Sequence, residues 1–135
     1  MTMIFIDTSA LLAILDADDD NHGSARQEWE HLILGNERLV CTNYNLVEIF
    51  ALVQRRLGMD AVRKLEEDVL PMLVIDWMDA ESHAISVAAL LIAGRRRLSL
   101  VDCASFETMR RLGLDTAFAF DHHFSEQGFH TLPQE

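Results

Sequence analysis

Short apolar runs alternate with longer amphipathic segments along the chain. The first run, Ile4-Phe5-Ile6, has strand preference, and an apolar helical run, Ala10–Leu15, follows it after three polar residues. The same order recurs at Arg38–Thr42, where a strand-like run precedes a helix whose apolar positions return every three or four residues as far as Leu57. The pattern predicts a buried strand, a turn and a helix, repeated along the sequence.

Turn-forming and helix-ending residues delimit the other predicted elements. Helices are predicted over His22–Leu34, Met59–Val69, Asp79 to about Ala93, and from the Leu98–Phe106 stretch to Leu112. Strands are predicted over Met72–Asp76, Thr116–Phe120 and His130–Leu132, and a loop is expected at His122, His123 and Phe124. Because strands alternate with helices throughout, we expect a three-layer α/β/α fold around a parallel sheet of four to five strands.

Length and composition are those of one globular domain spanning residues 1–135. Half of the residues are hydrophobic, which excludes general disorder. No apolar run approaches the roughly 20 residues that span a bilayer, and no basic region precedes the N-terminal apolar segment, so we expect a cytoplasmic protein without a signal peptide. Cys41 and Cys103 are expected to be buried free thiols, because the sequence has no CxxC motif.

The formal net charge of −11 limits how this chain could bind nucleic acid. General electrostatic attraction to phosphates is disfavoured by such a charge. Recognition of phosphates through a bound metal ion stays open, as does binding of a basic protein partner. Solubility alone would also explain the excess of acids.

Four acidic residues are expected at one edge of the predicted sheet. Asp7 and Asp121 each follow a buried strand, whereas Glu48 and Asp102 lie near the amino ends of helices. In a parallel α/β sheet the carboxyl ends of strands and the amino ends of the following helices share an edge. Clustered carboxylates repel one another and raise one another's pKa unless a cation compensates, and oxygen ligands favour Mg²⁺ or Mn²⁺.

Each of these acids also has a purely structural interpretation. Asp7 could cap the first helix, Ser99-x-x-Asp102 matches a capping box, Glu48 could favour the helix dipole, and Asp121 could form a turn. The residues alone leave the metal site and these local roles open.

A calcium loop after Asp16 is excluded, because Asn21 and Gln27 occupy the places of its glycine and its bidentate glutamate.

The acids lie within four motifs, which are Asp7-Thr8-Ser9-Ala10-Leu11, Asn45-Leu46-Val47-Glu48, Leu98-Ser99-Leu100-Val101-Asp102, and Ala119-Phe120-Asp121-x-x-Phe124 with Gly128-Phe129. Together these motifs resemble the PIN domain family, which is best known as the VapC-type toxins of toxin–antitoxin pairs. The resemblance covers nearly the whole chain. It implies a Rossmann-like sheet, a metal-dependent ribonuclease with Mg²⁺ or Mn²⁺ as cofactor, frequent homodimers and a possible VapB-like antitoxin.

The resemblance also assigns roles to individual residues. It maps an acidic quartet onto Asp7, Glu48, Asp102 and Asp121, with Thr8 and Ser9 as supporting or substrate-facing groups. The expected reaction is hydrolysis of an RNA phosphodiester by a metal-activated water, leaving a 5′-phosphate and a 3′-hydroxyl.

Basic residues and rival classes complete the prediction. Arg95-Arg96-Arg97 lies just before Asp102 and could steer RNA, although a solvated helix end is the commoner reason for such a run.

Three other classes of protein compete with the ribonuclease prediction: a binding module that has lost catalysis, a haloacid-dehalogenase-type phosphatase and a receiver domain. The phosphatase needs an acid where Ser9 stands, and the receiver domain needs an acid pair near the first strand and a late lysine, whereas Lys64 is the only lysine.

Overall fold

The computed structural model describes residues 2–134 and contains one five-stranded sheet in that range. All neighbouring strands pair in parallel, in the order β3-β2-β1-β4-β5. This confirms the predicted α/β class and the parallel sheet. The strands are β1 (Met3–Ile6), β2 (Arg38–Thr42), β3 (Val74–Asp76), β4 (Thr116–Phe118) and β5 (His130–Leu132).

Seven α-helices lie between these strands within residues 2–134. They are α1 (Thr8–Leu15), α2 (His22–Leu34), α3 (Asn43–Leu57), α4 (Met59–Lys64), α5 (Ala80–Ala93), α6 (Leu100–Leu112) and α7 (His123–Glu126). A π-helical turn over Leu65–Val69 and a 3₁₀ turn over Leu70–Met72 connect α4 to β3. None of the helices in this range is long and apolar enough to cross a membrane.

Several predicted boundaries need correction. The helix predicted over Met59–Val69 changes at Leu65 into the π-helical turn, and β3 is shorter than expected because Leu70–Met72 form a 3₁₀ turn. The loop predicted at His122–Phe124 was wrong, since α7 begins at His123. Asp121 Oδ1 accepts the backbone N–H of His123 at 2.9 Å, which satisfies an otherwise free donor at the start of this helix.

The sheet separates two hydrophobic cores. Ile4 and Ile6 face the side covered by α1 to α4, whereas Phe5, between them, faces the side covered by α6 and α7. This alternation explains why the short apolar run of β1 is buried on both faces. Cys41 and Cys103 are buried and unpaired, and burial raises the pKa of the Cys41 thiol to about 12, so this thiol is unreactive.

The strand order places a topological switch point beside β1. The chain leaves β1 towards β2 on one side of the sheet, and β4 pairs with β1 on the other side. In open α/β sheets, ligands bind in the crevice outside the carboxyl ends of the strands at such a point. Asp7 follows β1 there, and its backbone N–H donates to the Phe118 carbonyl at 3.0 Å, which joins the two strand ends.

Candidate active site

The acids that follow strands lie at the switch point. Asp7 comes directly after β1 and begins α1, where its Oδ2 accepts the Ser9 backbone N–H at 3.1 Å and the Ser9 hydroxyl at 2.6 Å. Asp121 follows β4 and begins the turn into α7. Ser9 Oγ also accepts the backbone N–H of Phe120 at 3.0 Å, so one hydroxyl connects Asp7 to the segment that carries Asp121.

The two acids on helices face the same crevice. Asp102 is the third residue of α6, and its Oδ2 accepts the Ser99 backbone N–H at 3.0 Å while its own N–H donates to Ser99 Oγ at 3.1 Å. This is the predicted capping box. Glu48 lies in the second turn of α3, which begins with a second reciprocal cap between Thr42 and Asn45.

All four acids line one cavity of about 290 Å³. Its other lining residues are Thr8, Ser9, Leu12, Leu52, Arg97 and Ser99. A larger cavity of about 820 Å³ also borders Asp121, which is the only carboxylate among the described residues that line it. Because four carboxylates converge on the smaller cavity, it is the candidate active site.

The carboxylates in this cavity are electrostatically coupled. Burial raises the pKa of Asp7 to about 7; the hydrogen bonds from Ser9 oppose this shift, and the charges of Asp102 and Asp121 add to it. Burial also raises the pKa of Asp102, and the charge of Asp121 adds to the rise, while Ser99 and His123 oppose it. Repelling acids held together in this way are a common feature of catalytic sites.

The carboxylate oxygens that line the cavity are suitable ligands for a divalent cation. Within residues 2–134, no hydrogen bond engages Asp7 Oδ1, Asp102 Oδ1, Asp121 Oδ2 or the Glu48 carboxylate. Capping therefore uses only one oxygen of Asp7 and of Asp102 and leaves the other free, so the capping and ligand interpretations are compatible. Hard carboxylate oxygens suit Mg²⁺ or Mn²⁺.

One cluster of potential metal ligands contains His123, which the sequence offered for proton transfer or substrate contact but which was not predicted as a ligand. Potential ligand atoms of Asp102, Asp121 and His123 all lie within 4.8 Å of one another, whereas Asp7 and Glu48 are not part of this group. His123 was expected to be an ordinary loop residue. Its position two residues after Asp121 was the available signal, but only the α7 helix brings its ring towards the acids.

Asn45 opens the second of the four motifs, but no role was predicted for it. It is fully buried, and its Oδ1 accepts the backbone N–H and the hydroxyl of Thr42 at 2.9 and 3.0 Å. Its Nδ2 donates to Thr8 Oγ1 at 3.2 Å. Asn45 therefore connects the first residue of α1 to the start of the helix that carries Glu48.

The three arginines predicted to contact RNA differ in their surroundings. Arg97 lines the acidic cavity, and none of the described carboxylates lies within 4 Å of its side-chain nitrogens. Arg95 forms an ion pair with Glu126 at 3.2 Å, so its charge is already paired. Arg96 is exposed and does not line the cavity.

Fold and site together define a doubly wound α/β protein with an acidic cavity at its topological switch point. The chain belongs to the PIN domain family, whose profile matches residues 4–129. This confirms the resemblance drawn from the four motifs, and with it the predicted class of enzyme, a ribonuclease.

The following proteins of known activity or structure are similar to this chain. The 23S rRNA-specific endonuclease VapC20 of Mycobacterium tuberculosis is 34% identical over 129 residues, which cover 94% of this chain and 95% of that protein. The crystal structure of VapC20, described as a sarcin–ricin loop cleaving toxin, superposes with a TM-score of 0.83 at 31% identity, covering 93% and 95% of the two chains. VapBC2 from Rickettsia felis, bound to a promoter DNA fragment, has a TM-score of 0.72 at 12% identity and covers 99% of this chain and all (100%) of that one, a likeness that concerns the fold.

Proposed function

We propose that this protein is a metal-dependent endoribonuclease that hydrolyses a phosphodiester bond in the sarcin–ricin loop of 23S rRNA, as the toxin of a toxin–antitoxin pair. The observation that carries the proposal is the convergence of four carboxylates on one cavity at the switch point. The similarity to VapC20 over almost the full length supports the choice of RNA.

The free oxygens of Asp7, Asp102 and Asp121 are the proposed ligands of one or two Mg²⁺ or Mn²⁺ ions. A divalent cation supplies two things when bound: a lower pKa for a coordinated water and stabilisation of charge on the phosphoryl oxygens. Glu48 is half-buried and its carboxylate is free of hydrogen bonds from described residues, so it can bind the cation or accept a proton from the attacking water. The water adds to phosphorus in line as the bond to the 3′-oxygen breaks, one water proton passes to Glu48 or solvent, and the departing 3′-oxygen takes a proton from solvent, leaving a 5′-phosphate and a 3′-hydroxyl.

Thr8 and Ser9 support this arrangement, and Arg97 contributes the positive charge. Ser9 fixes Asp7, and Thr8 lies between Asp7 and Asn45. Four carboxylates repel an RNA phosphate, so RNA binding should require the cation. Arg97 is the proposed RNA contact of the basic run, with smaller contributions from Arg95 and Arg96 through general electrostatics.

The cleavage experiment uses a labelled RNA hairpin with the sarcin–ricin sequence and Mn²⁺ or Mg²⁺. The wild-type protein should cut the hairpin at one position, and Asp102→Asn should not cut it. Asp20→Asn is the matched control, because Asp20 is exposed and does not line the cavity. Intact hairpin with wild-type protein, together with cleavage of another RNA, would refute the proposed substrate; equal cleavage by Asp102→Asn would refute the proposed site.

A homodimer is the proposed assembly, and α5 provides its surface. This helix turns Ser82 and Ser86 inward, while Leu91 and Ile92 are 75% and 86% exposed. A helix that exposes its apolar side normally packs against another protein surface. Trp77, 71% exposed just before this helix, extends the apolar surface. A second copy is the proposed occupant, and Ile92→Glu should convert a dimer into a monomer in sedimentation analysis.

A VapB-like antitoxin is the proposed second partner. The net charge of −11 and the free carboxylate oxygens favour a partner that places a basic side chain in the cavity. Co-expression with the product of a short neighbouring reading frame should give a stable complex that does not cut the hairpin. Full cleavage by the co-purified complex would contradict this role.

A further inference from the structure

The segment between α5 and α6 carries the arginines and has few contacts of its own. Gly94 ends α5 with φ at +60°, in the left-handed region, and Ser99 begins the cap of α6. Between them Leu98 is buried, whereas the three arginines are exposed. The backbone N–H of Leu98 donates to the Arg95 carbonyl at 3.3 Å, a weak turn. The position of Arg97 at the cavity therefore depends on contacts with another element.

That element is α7, which contacts both ends of the arginine run. The Nε2 atom of His123 lies 3.1 Å from the backbone carbonyl oxygen of Arg97. One turn later, Glu126 forms the ion pair with Arg95 at 3.2 Å. A carbonyl oxygen only accepts, so this hydrogen bond requires a proton on Nε2.

The helix that provides these contacts is firmly anchored. Phe124, fully buried, lies between Phe5 and Phe106, with ring centroids at 6.1 and 5.1 Å. Asp121 accepts the first N–H of α7 at 2.9 Å. The ring of His123 is itself only 14% exposed, so its orientation is restricted by packing. The same four-residue helix is thus fixed to the core, to an acid of the site and to the arginine segment.

We propose that His123 is a positioning residue, whose Nε2–H holds the carbonyl of Arg97 so that the Arg97 guanidinium is presented to the RNA phosphate at the acidic cavity. The inference rests on the proposed function for the identity of the ligand. It separates the roles of the arginines: Arg95 attaches the segment to Glu126, and Arg97, which has no carboxylate partner among residues 2–134, binds substrate. The competing role for His123 is metal ligation through the same nitrogen, which excludes donation to Arg97 at the same time.

The first test measures amide hydrogen exchange across residues 95–99 in the absence of RNA. His123→Leu removes the donor, and exchange there should rise about tenfold, as expected for loss of one local hydrogen bond. His123→Gln keeps an N–H at nearly the same reach as Nε2 and should exchange like the wild type. His31→Leu, an exposed histidine on α2, is the matched control. Unchanged exchange in His123→Leu would overturn the proposal.

The second test is a double-mutant cycle on RNA binding. It uses the labelled sarcin–ricin hairpin and the otherwise wild-type chain, with Ca²⁺ in place of Mn²⁺, because Ca²⁺ also binds carboxylate oxygens but activates a bound water poorly, so that the hairpin stays intact. Arg97→Ala and His123→Leu should each weaken binding about tenfold, and the double variant should be no weaker than either single variant, since both remove one interaction. His123→Gln should restore binding. Additive losses would overturn the proposal.

Calorimetry with Mn²⁺ alone separates positioning from ligation. On the otherwise wild-type chain, His123→Leu and His123→Gln should bind Mn²⁺ with nearly the affinity of the wild type, because they leave the carboxylates unchanged. Loss of binding in both would overturn positioning in favour of ligation. If the hairpin neither binds nor is cut by wild-type protein, the proposed function fails, and the exchange experiment still decides whether His123 holds the segment.

Discussion

The substitution Asp7→Asn should stabilise the metal-free protein, although it removes a residue of the proposed site. Asp7 is 4% exposed, and burial raises its pKa to about 7 from the ordinary value of 3.8. Because the folded state holds this proton more tightly than the unfolded chain, stability falls as the pH rises from about 4 to about 7. An asparagine retains an oxygen for both Ser9 hydrogen bonds and remains a good helix cap.

The magnitude follows from the difference between the two pKa values. At about pH 8, ionised Asp7 costs about 4 kcal/mol relative to a neutral group, and at about pH 4 the cost is about 0.5 kcal/mol. In thermal unfolding with a chelator, Asp7→Asn should therefore raise the midpoint by on the order of 10 °C at about pH 8 and hardly change it at about pH 4.

Two further measurements make the prediction selective. Asp20→Asn, an exposed control, should have no effect at either pH. With saturating Mn²⁺ the order should reverse, because the wild-type carboxylate then binds the cation and the variant loses that stabilisation. If Asp7→Asn destabilised the metal-free protein equally at both pH values, the buried charge would not dominate the behaviour of Asp7, and the electrostatic account of the site would be wrong.

Other predictions test the neighbouring residues. Asp102→Asn retains an acceptor for the Ser99 N–H, so it should fold normally, lose cleavage of the hairpin and lose saturable Mn²⁺ binding in calorimetry. Because Asp7 must be deprotonated to bind a cation, Mn²⁺ affinity should increase with pH up to about 7, with proton release detectable from buffers of different ionisation enthalpy. Ser9→Ala removes a 2.6 Å hydrogen bond that lowers the pKa of Asp7, so the rise of Mn²⁺ affinity with pH should move to higher pH. The same variant should lose about 1–3 kcal/mol of stability in denaturant unfolding. Glu48→Gln should keep most of the Mn²⁺ affinity while reducing kcat if its role is to accept a proton, and a parallel loss of both would assign it to ligation.

The apolar pattern was sufficient for the class of fold and the order of the elements. A run such as Ile4-Phe5-Ile6 can be buried on both faces only in a covered parallel strand, and helices of period 3.6 between such runs supply the cover. Boundaries were less accurate where local chemistry competes with the pattern. Asp121 forms the predicted turn by accepting the His123 N–H, but a short helix follows that the polar residues concealed. The chain between Leu65 and Met72 forms a π-helical turn and a 3₁₀ turn instead of continuing the α-helix.

The sequence by itself determined which residues could carry the chemistry, because the acids follow strands or begin helices at positions that any parallel sheet brings to one edge. Only the tertiary structure decided how these residues are arranged. Strand order places Asp7 and Asp121 on adjacent strand ends, and α7 turns His123 towards Arg97. Ser9 joins segments 111 residues apart through one hydroxyl. Such contacts depend on packing between distant elements, and a local pattern of apolar and polar positions contains no information about them.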